Sequence, residues 1–598
     1  MLIRDEITRL LSETLAGLSL MVDKIHLEHP ENIDFGDYST NLAMALAKIA
    51  KENPRMLAEK IIATASSLLT TEKFTELSVL IEKIDLAGAG FINFTLSPLF
   101  FRRELENVLT QGLDYGKSDN LLDKQIVVEY TNTNVLKPFH IGHLMGNALG
   151  ESLVRIWEKA GAKIVRCTYE GDVGLHIAKT LWGILHLNEA MPDENETLTK
   201  KMDFIGRAYA FGSEQYEGNE EATREIKEIN KEVYDRSNDE LIEIYQTARD
   251  WSLQHFEEIY KVLGTKFDHY FFESEVTKSA IEIIQENLKQ GIFVESEGAI
   301  IYQADGKTNA KGQKLHTRVF VNSQGLPTYE AKEIAHAIQK YMEYPADRSI
   351  IITANEQNDY FKVVLEALRE VVPHIAGTTE HLSHGMMRLT EGKMSSRKGN
   401  VITGESLIMD TVERVKEVMN GRDLTEMEKD EIAEKVAVAA IKFTILCQTP
   451  GSDIIFDREK AISFDGDSGP YLQYTLVRAR SVLAKADGVM TGEGESGGGR
   501  FDLDGLSDKI AVYPIEKILY RFPEVIDRCG QEKTVHYLVN YAVSLSAAFN
   551  NFYAHNKILD EDEQNKDQTM YRLAIVSATA NILESALRLL GIKAPSKM

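Results

Sequence analysis

Three observations predict a multidomain α/β protein built around a doubly wound parallel sheet. Residues 125–130 (QIVVEY) form a short apolar run of strand length. A helical pattern through Leu144, Leu149, Leu153 and Trp157 comes next, and residues 162–167 (AKIVRC) make a second strand. Strand, helix and strand in that order open a parallel sheet with crossover helices. The 598 residues suffice for three or four domains, and 43% hydrophobic with 27% charged residues describes a soluble globular chain.

The flanking elements follow in order. Residues 1–115 begin with helical spacing at Ile7, Leu10, Leu11 and Leu15, turn at residues 35–38 (FGDY), and resume as a helix from about Thr40 to Lys51, where Leu42, Ala43, Leu46 and Ile49 share a face. Residues 81–86 and 91–94 alternate like two strands around Gly88 and Gly90, which completes an α+β domain. Residues 116–420 carry the parallel sheet, interrupted at about 185–263 by a charged, helix-patterned insertion that reads as a solvated layer. Strand-like runs return at 267–272, 299–302, 318–321 and 349–353 and are expected to resume the sheet. Residues 421–598 read as all-helical, broken by a glycine-rich loop at 488–499.

Composition narrows the function. Lys and Arg total 67 against 92 Asp and Glu, a net charge of −25, so an RNA partner requires a local basic surface or shape recognition. The three cysteines, Cys167, Cys447 and Cys529, are too dispersed for a zinc knuckle or a disulfide framework, which indicates a reducing compartment. No signal peptide or membrane span is legible, and a cytoplasmic location is expected.

Two segments carry chemistry. Lys137, Pro138, Phe139, His140, Ile141, Gly142 and His143 (KPFHIGH) lie where the loop after the first sheet strand enters a helix, at the sheet edge where such folds bind ligands. Two imidazoles three residues apart at a helix N-terminus, with a lysine nearby, suit triphosphate oxygens, and Gly142 would let a flat base approach. A zinc pair is the weaker alternative, since zinc helices space histidines by four and no third ligand stands near. The second segment, Lys393, Met394, Ser395, Ser396, Arg397, Lys398 (KMSSRK), lies between Gly392 and Gly399. Its cations and hydroxyls fit an anion clamp closing on a transferred phosphoryl group, although alone such a run is more often a basic surface loop.

HIGH and KMSSR together resemble the two signatures of class I aminoacyl-tRNA synthetases. Glu129, Tyr130 and Asn134 followed by KPFHIGH, then YEGDVG (169–174), FGDYSTNLAMALAK (35–48), AGAGFINF (87–94), GPYLQYTLVRARSVL (469–483) and LLGIKAPSKM (589–598), are similar to arginyl-tRNA synthetases over essentially the whole chain. The resemblance implies a Rossmann-like catalytic domain, an N-terminal domain that touches the tRNA elbow and a helical anticodon-binding domain. The implied substrates are L-arginine, ATP and tRNA(Arg), with Mg²⁺ accompanying ATP, no zinc, and a monomeric enzyme. It places Glu129 and Asn134 beside the amino acid, with Tyr329, Glu333 and Gln357 in the pocket wall. Carboxylates and a hydroxyl suit a planar guanidinium. His140 and His143 would stabilise phosphate charge, while Lys393, Arg397 and Lys398 close on pyrophosphate, with Lys137–His143 and Lys393–Ser396 forming the ATP site. The resemblance further implies that adenylate formation requires bound tRNA. Two departures stand out: the family more often has Asp at the position of Glu333 and Lys at that of Ser396. Tyr471, Tyr474, Arg478 and Arg480 offer stacking faces and phosphate donors for an anticodon, but the first three also sit at helical packing spacing. A different class I synthetase and a catalytically idle RNA-binding paralogue are the competing readings.

Overall fold

The structure is a computed structural model that describes residues 2–389, 403–421, 423–490, 503, 510–560 and 562–598. Backbone contacts divide it into two compact units.

The first unit comprises residues 1–116, 475–528 and 540–586. Its helix Ile3–Gly17 buries Ile7, Leu10, Leu11 and Leu15, the face that the sequence spacing predicts. Strands β1 (Tyr38–Thr40), β2 (Ile81–Ala87) and β3 (Phe91–Leu96) form an antiparallel sheet in the order β1-β3-β2. β1 stands where the sequence reads only a turn, too short to show its alternation. Helices Leu42–Ala50 and Pro54–Leu69 supply Leu42, Leu46, Leu57 and Ile61 to the same core, which also takes in Tyr520. The Tyr38 hydroxyl donates to Glu524 and Lys517 pairs with the buried Asp37 at 3.2 Å, so residues far apart in the chain share one core.

The second unit comprises residues 117–474, 529–539 and 587–598. Five parallel strands form its central sheet: β4 (Gln125–Glu129), β5 (Lys163–Glu170), β6 (His269–Phe272), β10 (Arg348–Ala354) and β11 (Thr379–His384), in the order β11-β10-β4-β5-β6. Val127 and Val128 are buried in the middle of it, as a parallel sheet covered on both faces requires. Four helices, Leu175–His186, Leu198–Gly218, Glu220–Asp235 and Asp239–Leu263, fill the long connection between β5 and β6, and the last three make up the insertion. They are less solvated than their charge suggests: Ala222, Ile226, Ile229 and Val233 form a buried stripe.

Two sequence expectations are corrected. The runs at 299–302 and 318–321 do not resume the parallel sheet; they are β8 (Ala299–Tyr302) and β9 (Arg318–Val321), which join β7 (Val294–Ser296) in a separate antiparallel sheet. A four-residue apolar run does not encode which sheet it joins. The stretch after 421 is also not wholly helical, because β13 (Ile454–Phe456) pairs in parallel with β12 (Met387–Leu389). Residues 488–490 of the expected glycine loop continue the helix Gly469–Met490 in backbone, and 491–499 lie outside the described residues.

Candidate functional site

The strand order reverses direction at β4: the chain proceeds outward through β5 and β6 on one side and through β10 and β11 on the other. The carboxyl edge at such a reversal leaves a crevice between diverging loops. Onto that edge come residues 130–140 after β4, 171–174 after β5, Glu273 after β6 and the turn Asn355–Gln357 after β10.

The loop after β4 holds an unusual backbone. Thr131, Asn132 and Leu136 have φ of 77°, 50° and 60°. For a β-branched threonine this is a strained conformation that surrounding contacts must enforce. The Thr131 hydroxyl accepts from Asn147 at 3.1 Å; the Asn132 N–H donates to Thr168 Oγ1 at 3.2 Å and its Oδ1 accepts from the Tyr169 N–H at 3.1 Å. Asn134 bridges to Gly171, where a Cβ would collide with Asn134 Oδ1, so the glycine is what admits that amide.

His140 is the N-cap of the helix Ile141–Lys159 and His143 its third residue. The cap thus stands two residues after Pro138. Each imidazole accepts from the other's backbone: the His143 N–H donates to His140 Nδ1 at 3.3 Å and the His140 N–H to His143 Nδ1 at 3.2 Å. The rings stack with centroids 3.4 Å apart. This is a capping box made of two histidines. With both Nδ1 atoms accepting, both rings carry their proton on Nε2 and present it as a donor. Burial, then Lys137 and His384, push His140 down to about 4; burial, then His140 and Lys137, hold His143 well below the usual range. The pair is therefore neutral at physiological pH. The space beside Gly142, expected to admit a base, is occupied by the His140 ring at 3.0 Å from where a Cβ would stand.

The same edge carries a group of buried carboxylates. Glu129, 1% exposed, has both oxygens engaged: Oε2 accepts from Lys340 and from His336 Nε2 at 2.8 Å, and Oε1 from Asn132 Nδ2 at 3.0 Å. Burial alone would raise its carboxyl, but Lys340 and then His336 hold it well below the usual carboxylate range. Glu129 thus sits behind the loop as its support. Glu273, absent from the sequence expectations, pairs with the buried Lys332. Glu333 is different: it is buried, its Oε1 has no hydrogen-bond partner, and burial followed by the charge of Glu129 pushes it up to about 8. The buried Tyr169 hydroxyl is likewise without a partner. Tyr329, at the start of the helix Tyr329–Glu343, is 56% exposed, with the Lys332 ammonium 4.7 Å from its ring and Gly174 beside its hydroxyl. Gln357 is exposed in the turn after β10. A signal for Tyr169 and Glu273 exists in the sequence: both stand at carboxyl ends of sheet strands.

Lys393, Met394, Ser395, Ser396, Arg397 and Lys398 lie outside the described residues. The chain beyond them is fixed on the histidine motif: Thr403 bridges to His140 and the Gly404 N–H donates to the Phe139 carbonyl at 2.8 Å. Lys137 lies over the Tyr209 ring at 5.4 Å. On the helix Gly469–Met490, Arg478 donates to Asn550 at 2.6 Å and Arg480 pairs with Glu584 at 2.5 Å, both interhelix contacts, while Tyr471 and Tyr474 are half-buried. The Arg478 contact agrees with the packing alternative raised for it, and Arg480, for which none was raised, is in an interhelix pair as well.

Three family profiles match the chain: "tRNA synthetases class I (R), catalytic domain" at residues 104–458, "DALR anticodon binding domain" at 472–598 and "Arginyl tRNA synthetase N terminal domain" at 2–96. The arginine–tRNA ligase of Treponema denticola is 30% identical over 602 residues, covering 98% of each chain, and that of Streptococcus suis is 30% identical over 600 residues, covering 99% of each. The arginyl-tRNA synthetase structure from Thermus thermophilus superposes with a TM-score of 0.77 at 24% identity over 100% of both chains, and that from Plasmodium falciparum with 0.76 at 20% over 99% of both. The chain belongs to the arginyl-tRNA synthetase family of class I tRNA synthetases.

Proposed function

We propose that this protein is an arginine–tRNA ligase that activates L-arginine with ATP and transfers it to the 3′-terminal adenosine of tRNA(Arg). The observation that carries the substrate assignment is Glu333: a buried carboxylate with an unpartnered oxygen at the edge of the sheet, beside a second unpartnered group, the Tyr169 hydroxyl. Of the other buried carboxylates at this edge, Glu129 and Glu273 have lysine partners, Asp172 faces Arg249 and Ser274, and Glu170 accepts from the Thr133 and Thr168 hydroxyls. Glu333 is the charge left for a cationic ligand, and a guanidinium supplies the cation and several N–H donors at once. Tyr329 and Glu273 would line the same pocket, with Asn134 and Gln357 toward the α-amino and carboxylate end.

In the first step a carboxylate oxygen of arginine attacks the α-phosphorus of ATP; the bond to the oxygen bridging to the β-phosphate breaks and pyrophosphate leaves. The Nε2–H groups of His140 and His143 donate to phosphate oxygens as negative charge builds on them. Being held by their Nδ1 caps, they need no reorganisation, and such preorganised donors are worth most in a buried site. Lys393, Arg397 and Lys398 would close on the pyrophosphate, with Ser396 where the family has a lysine. In the second step the terminal ribose hydroxyl of tRNA attacks the activated carbonyl carbon, its proton is released and AMP departs, so no nucleophile on the protein takes part. Among the described residues no cluster of three or more His, Cys, Asp or Glu side chains is placed to cage a metal. Magnesium would arrive with ATP, bound by phosphate and water.

In this reading residues 1–115 meet the tRNA elbow, 116–420 carry catalysis and 421–598, with Tyr471, Tyr474, Arg478 and Arg480, meet the anticodon. The enzyme works as a monomer in the cytoplasm, where Cys167, Cys447 and Cys529 stay as thiols. No helix among the described residues is long and apolar enough to cross a membrane. The test is charging of total tRNA with each labelled amino acid in ATP and magnesium. Arginine alone should be attached; tRNA binding without any charging would select the idle paralogue.

A further inference from the structure

We propose that Lys340, eleven residues along the helix from Tyr329, is a positioning residue for the substrate loop and acts on it through Glu129 and Asn132. This rests on the proposed arginine ligation and names what holds that site in shape. Lys340 is 2% exposed, and among its contacts is the carboxylate of Glu129, itself 1% exposed. No ligand reaches that ammonium past its own partner. The consequence is carried by the other carboxylate oxygen, which accepts the Asn132 amide at 3.0 Å. Asn132 then fixes the neighbouring strand, its Oδ1 accepting the Tyr169 N–H at 3.1 Å. Asn132 and Thr131 both have positive φ, a shape the backbone does not hold unaided, and two residues on is Asn134. The first turn of the amino-acid loop is therefore tied, through the Asn132 amide, to one buried carboxylate, alongside the contacts of Thr131 with Asn147 and of the Asn132 N–H with Thr168.

That carboxylate is tenable only as half of a pair. Without Lys340 a buried Glu129 would take up a proton or draw in water; in either case the geometry of the oxygen facing Asn132 changes. His336 does not substitute. Burial lowers it, so it is neutral and serves Glu129 as a hydrogen-bond donor through Nε2, while its Nδ1 has no partner. Lys340 thus differs from Lys332, the other buried lysine of this helix, which serves Glu273 at the pocket itself.

The test is a double-mutant cycle in arginine charging by the full-length enzyme. Lys340→Met and Glu129→Gln should each lower kcat/KM for arginine by about 100-fold, because each leaves a buried charge without its partner. The loss should fall on the arginine KM more than on the tRNA KM. Combining them should recover at least about tenfold over the worse single variant, since the substituted glutamine keeps an amide oxygen for Asn132 and no charge is stranded. If Lys340→Met does not fold, the same comparison is made between Glu129→Gln and the double variant. A double variant no better than the worse single one, or a Lys340→Met enzyme with wild-type arginine KM, overturns the proposal. Failure of the wild-type enzyme to charge tRNA with arginine would overturn the ligase reading instead.

Discussion

At the scale of single residues the site is defined by protonation states that the fold imposes. Two stacked imidazoles that each accept a backbone N–H offer Nε2 donors to anything above the helix N-terminus. Replacing His143 with Ala should lower kcat by roughly 10²–10³-fold with little change in arginine binding, since the lost donor matters most where charge develops. Single-turnover adenylate formation measures this, and equal rates would remove His143 from the chemistry. The pair also has a pH signature. An unfolded imidazole takes its proton near 6.5, whereas His140 in the fold waits until about 4. Below pH 6.5 the unfolded chain binds protons that the native state refuses, so the thermal midpoint should fall as pH drops from about 6.5 to 4. Glu333 titrates in the opposite sense. Held near 8, it is mostly protonated at pH 7, yet a guanidinium requires the carboxylate. Arginine binding at pH 7 should release a proton, and arginine affinity should rise with pH, up to about tenfold per unit, before levelling above 8. Calorimetry in buffers of different ionisation enthalpy detects the proton; a Glu333→Gln variant should show weaker, pH-independent binding. Proton release unchanged in that variant would assign it to another group.

Among elements, the carboxyl edge of the sheet assembles the pocket, and one glycine shows how tightly. Gly171 follows β5 and faces Asn134 across an isolated bridge, where a Cβ would overlap the amide oxygen. Gly171→Ala should raise the arginine KM by at least about tenfold, because the added methyl group must push the Asn134 amide aside. A normal KM would show that Asn134 can move without consequence for the substrate. How far these elements are legible in sequence depends on what each one encodes. β4, β5 and the helix Ile141–Lys159 declare themselves through apolar runs and periodicity, and β2 and β3 through alternation around Gly88 and Gly90. β11 (TEHLSH) is not readable, because its polar and histidine residues mask an edge strand whose pairing with β10 comes from the backbone. The split of β7, β8 and β9 into their own sheet is equally hidden, since strand partnership is decided by tertiary packing. For the site, the residue types are legible and their charges are not. The pairing of Glu129 with Lys340, 211 residues away, is not legible in the sequence, and Glu333 gains its significance only from an oxygen that has no such partner.

For the whole molecule the governing fact is charge. A chain with net charge −25 repels nucleic acid at long range, so an RNA substrate must be held by a local constellation of cations strong enough to overcome that field. Arg478 and Arg480 are the cations proposed for that contact, although in the fold they are occupied with Asn550 and Glu584. Each phosphate contact made by a lysine or arginine releases condensed counterion and makes binding fall with salt, with a slope of about 0.7 per contact on a log–log scale for single strands and somewhat more for duplex. In the proposed site arginine recognition would follow a different rule, because its charge would meet a buried carboxylate that salt screens poorly. Raising potassium chloride from about 50 to 200 mM should therefore raise the tRNA KM severalfold or more while leaving the arginine KM within about twofold. The same titration discriminates the two arginines: if Arg480 leaves Glu584 to meet a phosphate, Arg480→Gln should reduce the tRNA salt slope by roughly one contact, and if it stays in its interhelix pair the slope should be unchanged.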